Sequence, residues 1–290
     1  MIVPRPKLVL VVAFVLTSNV VLVAGEKSLV DSLLFHASFD GGFDADFARG
    51  DKSAYTADTY AREKISKGPQ VPGLKLIPNA GRYGSALKFT IKTKETLLYK
   101  ATGNIPYSST GFGGTISFWL SLDPEKDLEP GFVDPIQITD KKWNDAAVWV
   151  DFTKDDKPRH FRLGVFSNFS AWNPDNIKWE LFPADKKPLV EVAKPPFLSG
   201  KWTHVVITLS GLNKADDSAS SGLYLDGKLQ GTIAGLSKLN WDLEQTAIML
   251  GIGYTGLFDD LAIFDEPLGP EEVVELHELK DGVSGLHSDR

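Results

Sequence analysis

The stretch "GLFDDLAIF", residues 256–264, decides the reading of this chain. Seven of its nine residues suit a strand inside a protein, yet Asp259 and Asp260 stand side by side in the middle. An unpartnered carboxylate taken out of water costs several kcal/mol, so these two acids need partners. Strict alternation puts Leu257, Asp259, Leu261 and Ile263 on one face and Phe258, Asp260, Ala262 and Phe264 on the other. With Leu261 and Ile263 facing a core, Asp259 is expected to point inward at the beginning of the strand.

The rest of the sequence is a succession of similar short runs divided by Gly, Pro, Asn and Asp. "LLFHASF" (33–39), "ALKFTI" (86–91), "TLLY" (96–99), "TISFWLSL" (115–122), "PIQIT" (135–139), "AAVWVDF" (146–152) and "HFRLGVF" (160–166) come first. "KWELF" (178–182), "WTHVVITL" (202–209), "GLYLDG" (222–227), "LQGTI" (229–233) and "AIMLGI" (247–252) follow. Short strands with turn signals between them imply a sandwich or jelly roll. Alternation groups Ile116, Phe118, Leu120 and Leu122; Val148, Val150 and Phe152; Phe161, Leu163 and Val165; and Val205, Ile207 and Leu209 as inward faces of two sheets. Asp226-Gly227 supplies the positive φ values of a two-residue hairpin. Only "GPEEVVELHEL" (269–279) reads as helix, with Pro270 at its first position and Val273, Leu276 and Leu279 as its apolar stripe. It is expected to lie across an edge or end of the sandwich.

Composition bounds the function. Arg5 and Lys7 precede an apolar run from Leu8 to Val23 that ends in small residues, the layout of a secretory signal peptide over 1–25. The run is shorter than the roughly 20 residues a spanning helix needs, although it could be retained as an uncleaved anchor. Cleavage would move the net charge from −7 to −9. Such an acidic surface argues against nucleic acid as partner, and no second apolar run suggests a membrane. The chain has no cysteine, which excludes thiol catalysis and thiolate metal sites. With 42% hydrophobic residues, 17 Phe and 7 Trp, one large core can hold a single domain over 26–280. Residues 41–84, polar and rich in Gly and Asp, read as a long loop excursion, and 281–290 as a flexible tail.

Four stretches in order resemble the LamG-like jelly-roll domain of the concanavalin A-like lectin/glucanase superfamily. They are "LLFHASFDGGFDADFARGD" with "GRYGSALKF"; "GTISFWLSLDP"; "SGKWTHVVITLSG" with "LYLDGKLQGTI"; and "LGIGYTGLFDDLAIFDEPLGPEEVVEL". The wording also resembles exported members from planctomycete-type bacteria. The resemblance implies an all-β, two-sheet antiparallel jelly roll with one short C-terminal helix. It implies no activity, because the fold carries lectins, hydrolases and adhesion modules alike. Members often hold Ca²⁺ near this edge, which would make Asp40 and Asp259, with Asp44 or Asp46, hard-oxygen ligands. The alternative is that Asp259 accepts backbone N–H bonds from the long loop that follows Asp40.

"EKDLE" (125–129) matches the acidic spacing of laminarinase-type β-glucan hydrolases, but Pro124 and Pro130 bracket it and Lys126 could not face a core. The five His residues show no metal-ligand spacing. "NFS" (168–170) is a glycosylation sequon. Recognition is the better reading. Opposite the core-facing residues lie Trp119, Trp149, Asp151, Arg162, His204 and Tyr224, which would form an aromatic floor if their strands adjoin. The competing possibility is that the loops 40–84 and 167–200 cover them as a second core. Trp143, Trp172 and Trp179 sit in polar loops as platforms or anchors. The expected ligand-binding residues are therefore Trp143, Trp149, Trp172, Arg162 and His204, on a non-catalytic exported module that binds a glycan or an extracellular protein.

Overall fold

The computed structural model describes residues 28–287 except 217 and 236. The predicted signal peptide and the last three residues of the predicted tail lie outside that range. Strands run in the order Leu33–Ala37 (β1), Phe47–Ala48 (β2), Tyr55–Ala57 (β3), Ile65–Lys67 (β4), Leu74–Ile77 (β5), Ala86–Phe89 (β6), Thr96–Lys100 (β7) and Phe112–Ser121 (β8). They continue with Val133–Thr139 (β9), Ala147–Phe152 (β10), Phe161–Phe166 (β11), Leu189–Val192 (β12), Thr203–Leu212 (β13), Ser220–Leu225 (β14), Lys228–Ala234 (β15), Ala247–Ile252 (β16) and Gly256–Phe264 (β17). Among the described residues no helix is long and apolar enough to cross a membrane.

These strands form two antiparallel sheets. The nine-stranded sheet is ordered β15-β14-β13-β8-β17-β1-β2, with β6 also on β17 and β5 on β6; the eight-stranded sheet is ordered β12-β11-β10-β9-β16-β7-β3-β4. The four groups that alternation set inward within 115–122, 146–152, 160–166 and 202–209 all lie in one core between the sheets. The fold is the all-β jelly-roll sandwich that the sequence implied. Asp226 and Gly227, at φ 49° and 74°, make the hairpin turn between β14 and β15.

Three elements differ from the sequence reading. "KWELF" is a 3-10 turn at Trp179–Leu181 rather than a strand. Prolines at 174, 183 and 188 interrupt the segment, and β12 takes the place beside β11 instead. The excursion 41–84 contributes β2 to β5, short pieces at the margins of both sheets. Their side chains are mostly half-exposed, so they carry little alternation. The helix Pro270–Glu278 (the predicted one) lies over the outer face of the nine-stranded sheet rather than an edge. Val273 and Leu276 pack there with Val206, Tyr224 and Phe264 as a second, smaller core.

The two aspartates are explained by a bulge. β17 pairs with β8 as Phe258↔Leu120 and Asp259↔Trp119, then resumes at Ala262↔Ser117. One residue is extra, and Asp260 takes it up at φ 51°, a left-handed conformation that Asp tolerates better than most residues. Phe258, Leu261 and Ile263 therefore face the main core, and Asp259 faces outward, opposite to the expectation from unbroken alternation. It is nevertheless fully buried, with 0% exposure, because the 81–85 loop covers it. Asp259 accepts the Tyr83 N–H (3.0 Å) and the Asp260 N–H (2.9 Å). Asp260 meets His36 Nε2 at 2.7 Å and accepts the Val283 N–H. Residues 281–287, the start of the segment read as a tail, are thus tied down, with Val283 buried and His287 Nε2 2.8 Å from His36 Nδ1.

Candidate functional site

A cavity of about 430 Å³ opens on the outer face of the eight-stranded sheet, within the roughly 300–1,000 Å³ of small-ligand sites. Tyr60, Phe132, Trp143, Trp149 and Trp179 supply its aromatic walls, Asp134, Gln137, Asp151, Arg162 and Glu180 its polar groups, and Ile252 one more apolar wall.

Trp149 is the floor. On β10 it lies directly opposite Gln137 of β9 and Gly164 of β11. A Cβ on Gly164 would stand 2.4 Å from the indole Cε2, so glycine is what lets the ring lie flat across the neighbouring strand. Its Nε1–H donates to the Trp143 carbonyl at 2.7 Å. Gly164→Ala is expected to lift the indole, cost about 1–3 kcal/mol and shift the tryptophan emission; unchanged emission and melting would contradict this packing.

Arg162 and Asp151 are cross-strand partners joined by two hydrogen bonds, Nε–Oδ1 2.8 Å and Nη2–Oδ2 2.5 Å. The guanidinium lies 5.2 Å from the Phe132 ring centroid and 5.7 Å from that of Trp149. Burial raises the Asp151 carboxyl above its usual range despite Arg162. Burial, followed by the charge of Asp151, pushes Asp134 well up, with Arg162 opposing. Gln137 donates to the Tyr60 hydroxyl at 2.5 Å, and desolvation pushes that phenol up to about 12.

Three of the five residues expected to bind ligand, Trp143, Trp149 and Arg162, line this cavity. Trp172 does not. It stands behind the wall, packed on Phe166, Trp179 and Phe182, with its Nε1–H on the Asn144 carbonyl at 2.8 Å. His204 belongs to the other sheet. It stacks on Trp119 (4.5 Å) and on His277 of the C-terminal helix (5.4 Å) and bonds Ser117 Oγ, so that helix covers it. The single aromatic face read from alternation is really two outer faces on opposite sides of the sandwich, because β8, β13 and β14 form one sheet and β10 and β11 the other. Gln137, flanked by inward Ile136 and Ile138, was detectable by the same alternation. Tyr60 was not, because it comes from the excursion.

Asp40 and Asp259 both hold the 81–85 loop. Asp40 accepts the Ser85 N–H at 2.5 Å and Asp259 that of Tyr83, the amide-donor arrangement that was the alternative to an ion. Among the described residues no group of three or more His, Cys, Asp or Glu side chains stands close together; a Ca²⁺ ion can also take backbone carbonyls. "EKDLE" begins as the helical turn Pro124–Asp127; Glu125 accepts the Arg159 N–H and Glu129 the Lys92 N–H. Neither lines the cavity.

A laminin G family model, described as the concanavalin A-like lectin/glucanases superfamily, matches residues 99–274. The chain belongs to that superfamily. This concanavalin A-like chain is similar in fold to domain 4 of AbnA, an extracellular arabinanase from Geobacillus stearothermophilus solved with arabinotriose. The identity is 14%, with 85% of this chain and 98% of that domain covered and a TM-score of 0.53. It is also similar to the receptor-binding domain of botulinum neurotoxin mosaic serotype C/D (14% identity, 87% of this chain, TM-score 0.54). A third likeness is the binding domain of botulinum neurotoxin DC in complex with rat synaptotagmin II (13%, 86% of this chain, TM-score 0.51). The concanavalin A-like chain spans about half of each toxin fragment, 51% and 52%. No curated protein matches it.

Proposed function

We propose that this chain is a non-catalytic module, exported from the cytoplasm, that binds a glycan in the cavity over Trp149. The observation that carries the reading is the cavity itself. The exposed Trp143 ring and the half-buried Trp179 ring, set above a Trp149 floor that is itself only 3% exposed, suit the C–H face of a sugar ring, and the polar groups around them suit hydroxyls. The arabinotriose bound to the similar arabinanase domain supports a sugar as ligand. Export rests on the charge and apolar pattern of residues 1–25.

Hydrolysis is the weaker reading. A glycosidase needs two carboxyls free to act as acid and nucleophile or base. The acids of "EKDLE", the motif that would supply them, lie outside the cavity and accept the Arg159 and Lys92 N–H groups, and Asp151 is engaged with Arg162. The pair that is left, Asp134 and Glu180, would show itself as catalytic by releasing reducing ends from a bound β-glucan. An extracellular protein partner, by analogy with the toxin domain solved with synaptotagmin, is the second reading.

Trp143, 38% exposed, contributes its ring to the cavity, whereas the floor is held by its backbone carbonyl. Trp143→Ala is expected to abolish retention on a polysaccharide array while lowering stability by about 1–3 kcal/mol, because the ring also packs edge-on against Trp149, Phe166 and Trp179; a melting curve confirms that the variant is folded. Retention unchanged in the variant would remove the cavity as the glycan site. No retention of the parent protein, with a co-purifying partner, would favour the protein reading.

A further inference from the structure

The cavity is unevenly supplied with charge. Three acids line it, Asp134, Asp151 and Glu180, against one base, Arg162. The base is spent, since both of its bonds into the site go to Asp151. Asp134 is left: among the described residues no donor hydrogen-bonds its carboxyl, and burial, with the Asp151 charge beside it, raises that carboxyl well above its usual range, so that a cation arriving next to it would favour its ionised form. Gln137, only 1% exposed, likewise has its Oε1 buried without a partner. The cavity therefore presents two acceptors that no group of the protein satisfies, the carboxyl of half-buried Asp134 and the buried Gln137 oxygen, and a buried acceptor without a donor is rare unless something else supplies the donor.

The rings point the same way. The faces of Trp149, Phe132 and Trp179 already attract cations of the chain itself: Arg162 over the first two, Lys154 over Phe132 at 5.5 Å, and Lys187 over Trp179 at 4.3 Å. Rings that draw cations beside an acid without a donor, whose ionised form a cation would stabilise, form the chemistry that recognises an ammonium group. The chain's net charge of −7 would draw a polycation toward it and repel a sulfated or uronic polymer.

We infer that the ligand of this cavity is an amino sugar carrying a free ammonium group, with Asp134 and Gln137 as the acceptors that select it. The inference rests on the glycan reading above and narrows it from any sugar to a cationic one. The ammonium brings three donors, which Asp134, the Gln137 carbonyl and Glu180 receive, while the ring carbons lie against Trp143 and Trp179. Acetylation of the amine removes the charge and two of the donors.

The test is calorimetry with three hexasaccharides: a β-1,4-glucosamine hexamer, its fully N-acetylated form and a neutral glucose hexamer. The expected result is at least tenfold tighter binding of the glucosamine hexamer than of either other sugar at low salt, and a preference that shrinks to within twofold in Asp134→Asn. Asn is nearly isosteric, and the variant's melting curve confirms that it is folded; Glu180→Gln, at an exposed position, is a second variant and is expected to weaken the same preference. Equal binding of all three hexamers by the parent protein would overturn the charge selection and leave the glycan reading standing. Binding of none would overturn both.

Discussion

Trp149→Ala is expected to lower stability by about 3–5 kcal/mol, the usual cost of truncating a buried large aromatic, and to abolish glycan binding. The side chain is only 3% exposed although it faces away from the main core. It stacks on Phe166 at 5.6 Å and meets Trp143 edge-on at 6.4 Å. These rings, with Trp172 and Trp179 against Phe166, form an aromatic cluster that fastens the 167–192 segment to the sheet. Alanine would leave a void continuous with the cavity and strip one ring from beneath Arg162, exposing the Arg162–Asp151 pair to water. Trp149→Phe keeps a ring over Gly164 but loses the N–H to the Trp143 carbonyl, so its loss should be intermediate. Urea unfolding of the three proteins, with binding measured alongside, checks the series; a loss below about 1 kcal/mol for Trp149→Ala would show that the ring is a lid and not part of the fold's support.

Period-two alternation carries much of the structure because it registers which side of each strand is dry. It found the inner faces of β8, β10, β11 and β13. It also marked Trp149 and Arg162 as outward, and both line the cavity. Its failures have physical causes. Alternation says nothing about which strands are neighbours, so His204 and Trp149 were put on one floor, although the connections carry their strands into opposite sheets. It assumes no inserted residues, so the bulge at Asp260 reversed the side assigned to Asp259. Trp172 and Trp179 could not be told apart by local sequence: both follow polar turns, and only the packing of Trp172 beneath Phe182 makes one an anchor and the other a wall. Tyr60, Phe132 and Glu180 reach the cavity from segments whose positions depend on tertiary contacts alone.

Asp259→Asn is expected to act in the opposite sense to Trp149→Ala and to stabilise the protein increasingly as pH rises. Burial, reinforced by the charge of Asp260, pushes the Asp259 carboxyl up to about 8, against the lowering effect of the Tyr83 and Asp260 amides. Below about pH 4 the group is protonated in both the folded and the unfolded chain and contributes no difference between them. From there to about pH 8 the unfolded chain has released the proton while the folded chain retains it. Stability therefore falls with rising pH, at up to about 1.4 kcal/mol per unit, and levels off above the folded-state value. Asn cannot ionise; its single Oδ1 accepts from only one of the Tyr83 and Asp260 amides, which bond different oxygens of Asp259, and the cost of leaving the other amide facing its NH2 is independent of pH. The difference between variant and parent isolates this one group, because Asp134 and Asp151 on the far sheet titrate alike in both proteins and cancel. Urea unfolding at pH 5, 7 and 8.5 should show that difference growing by a few kcal/mol in favour of the variant, and a flat difference would mean that Asp259 is ionised in the folded protein. Glycan binding should not change, since the bulge and the 81–85 loop lie across the whole thickness of the sandwich from Trp149. A parent protein that keeps the acid despite this penalty at high pH holds the loop through the Tyr83 amide and the bulge through the Asp260 amide, one on each oxygen.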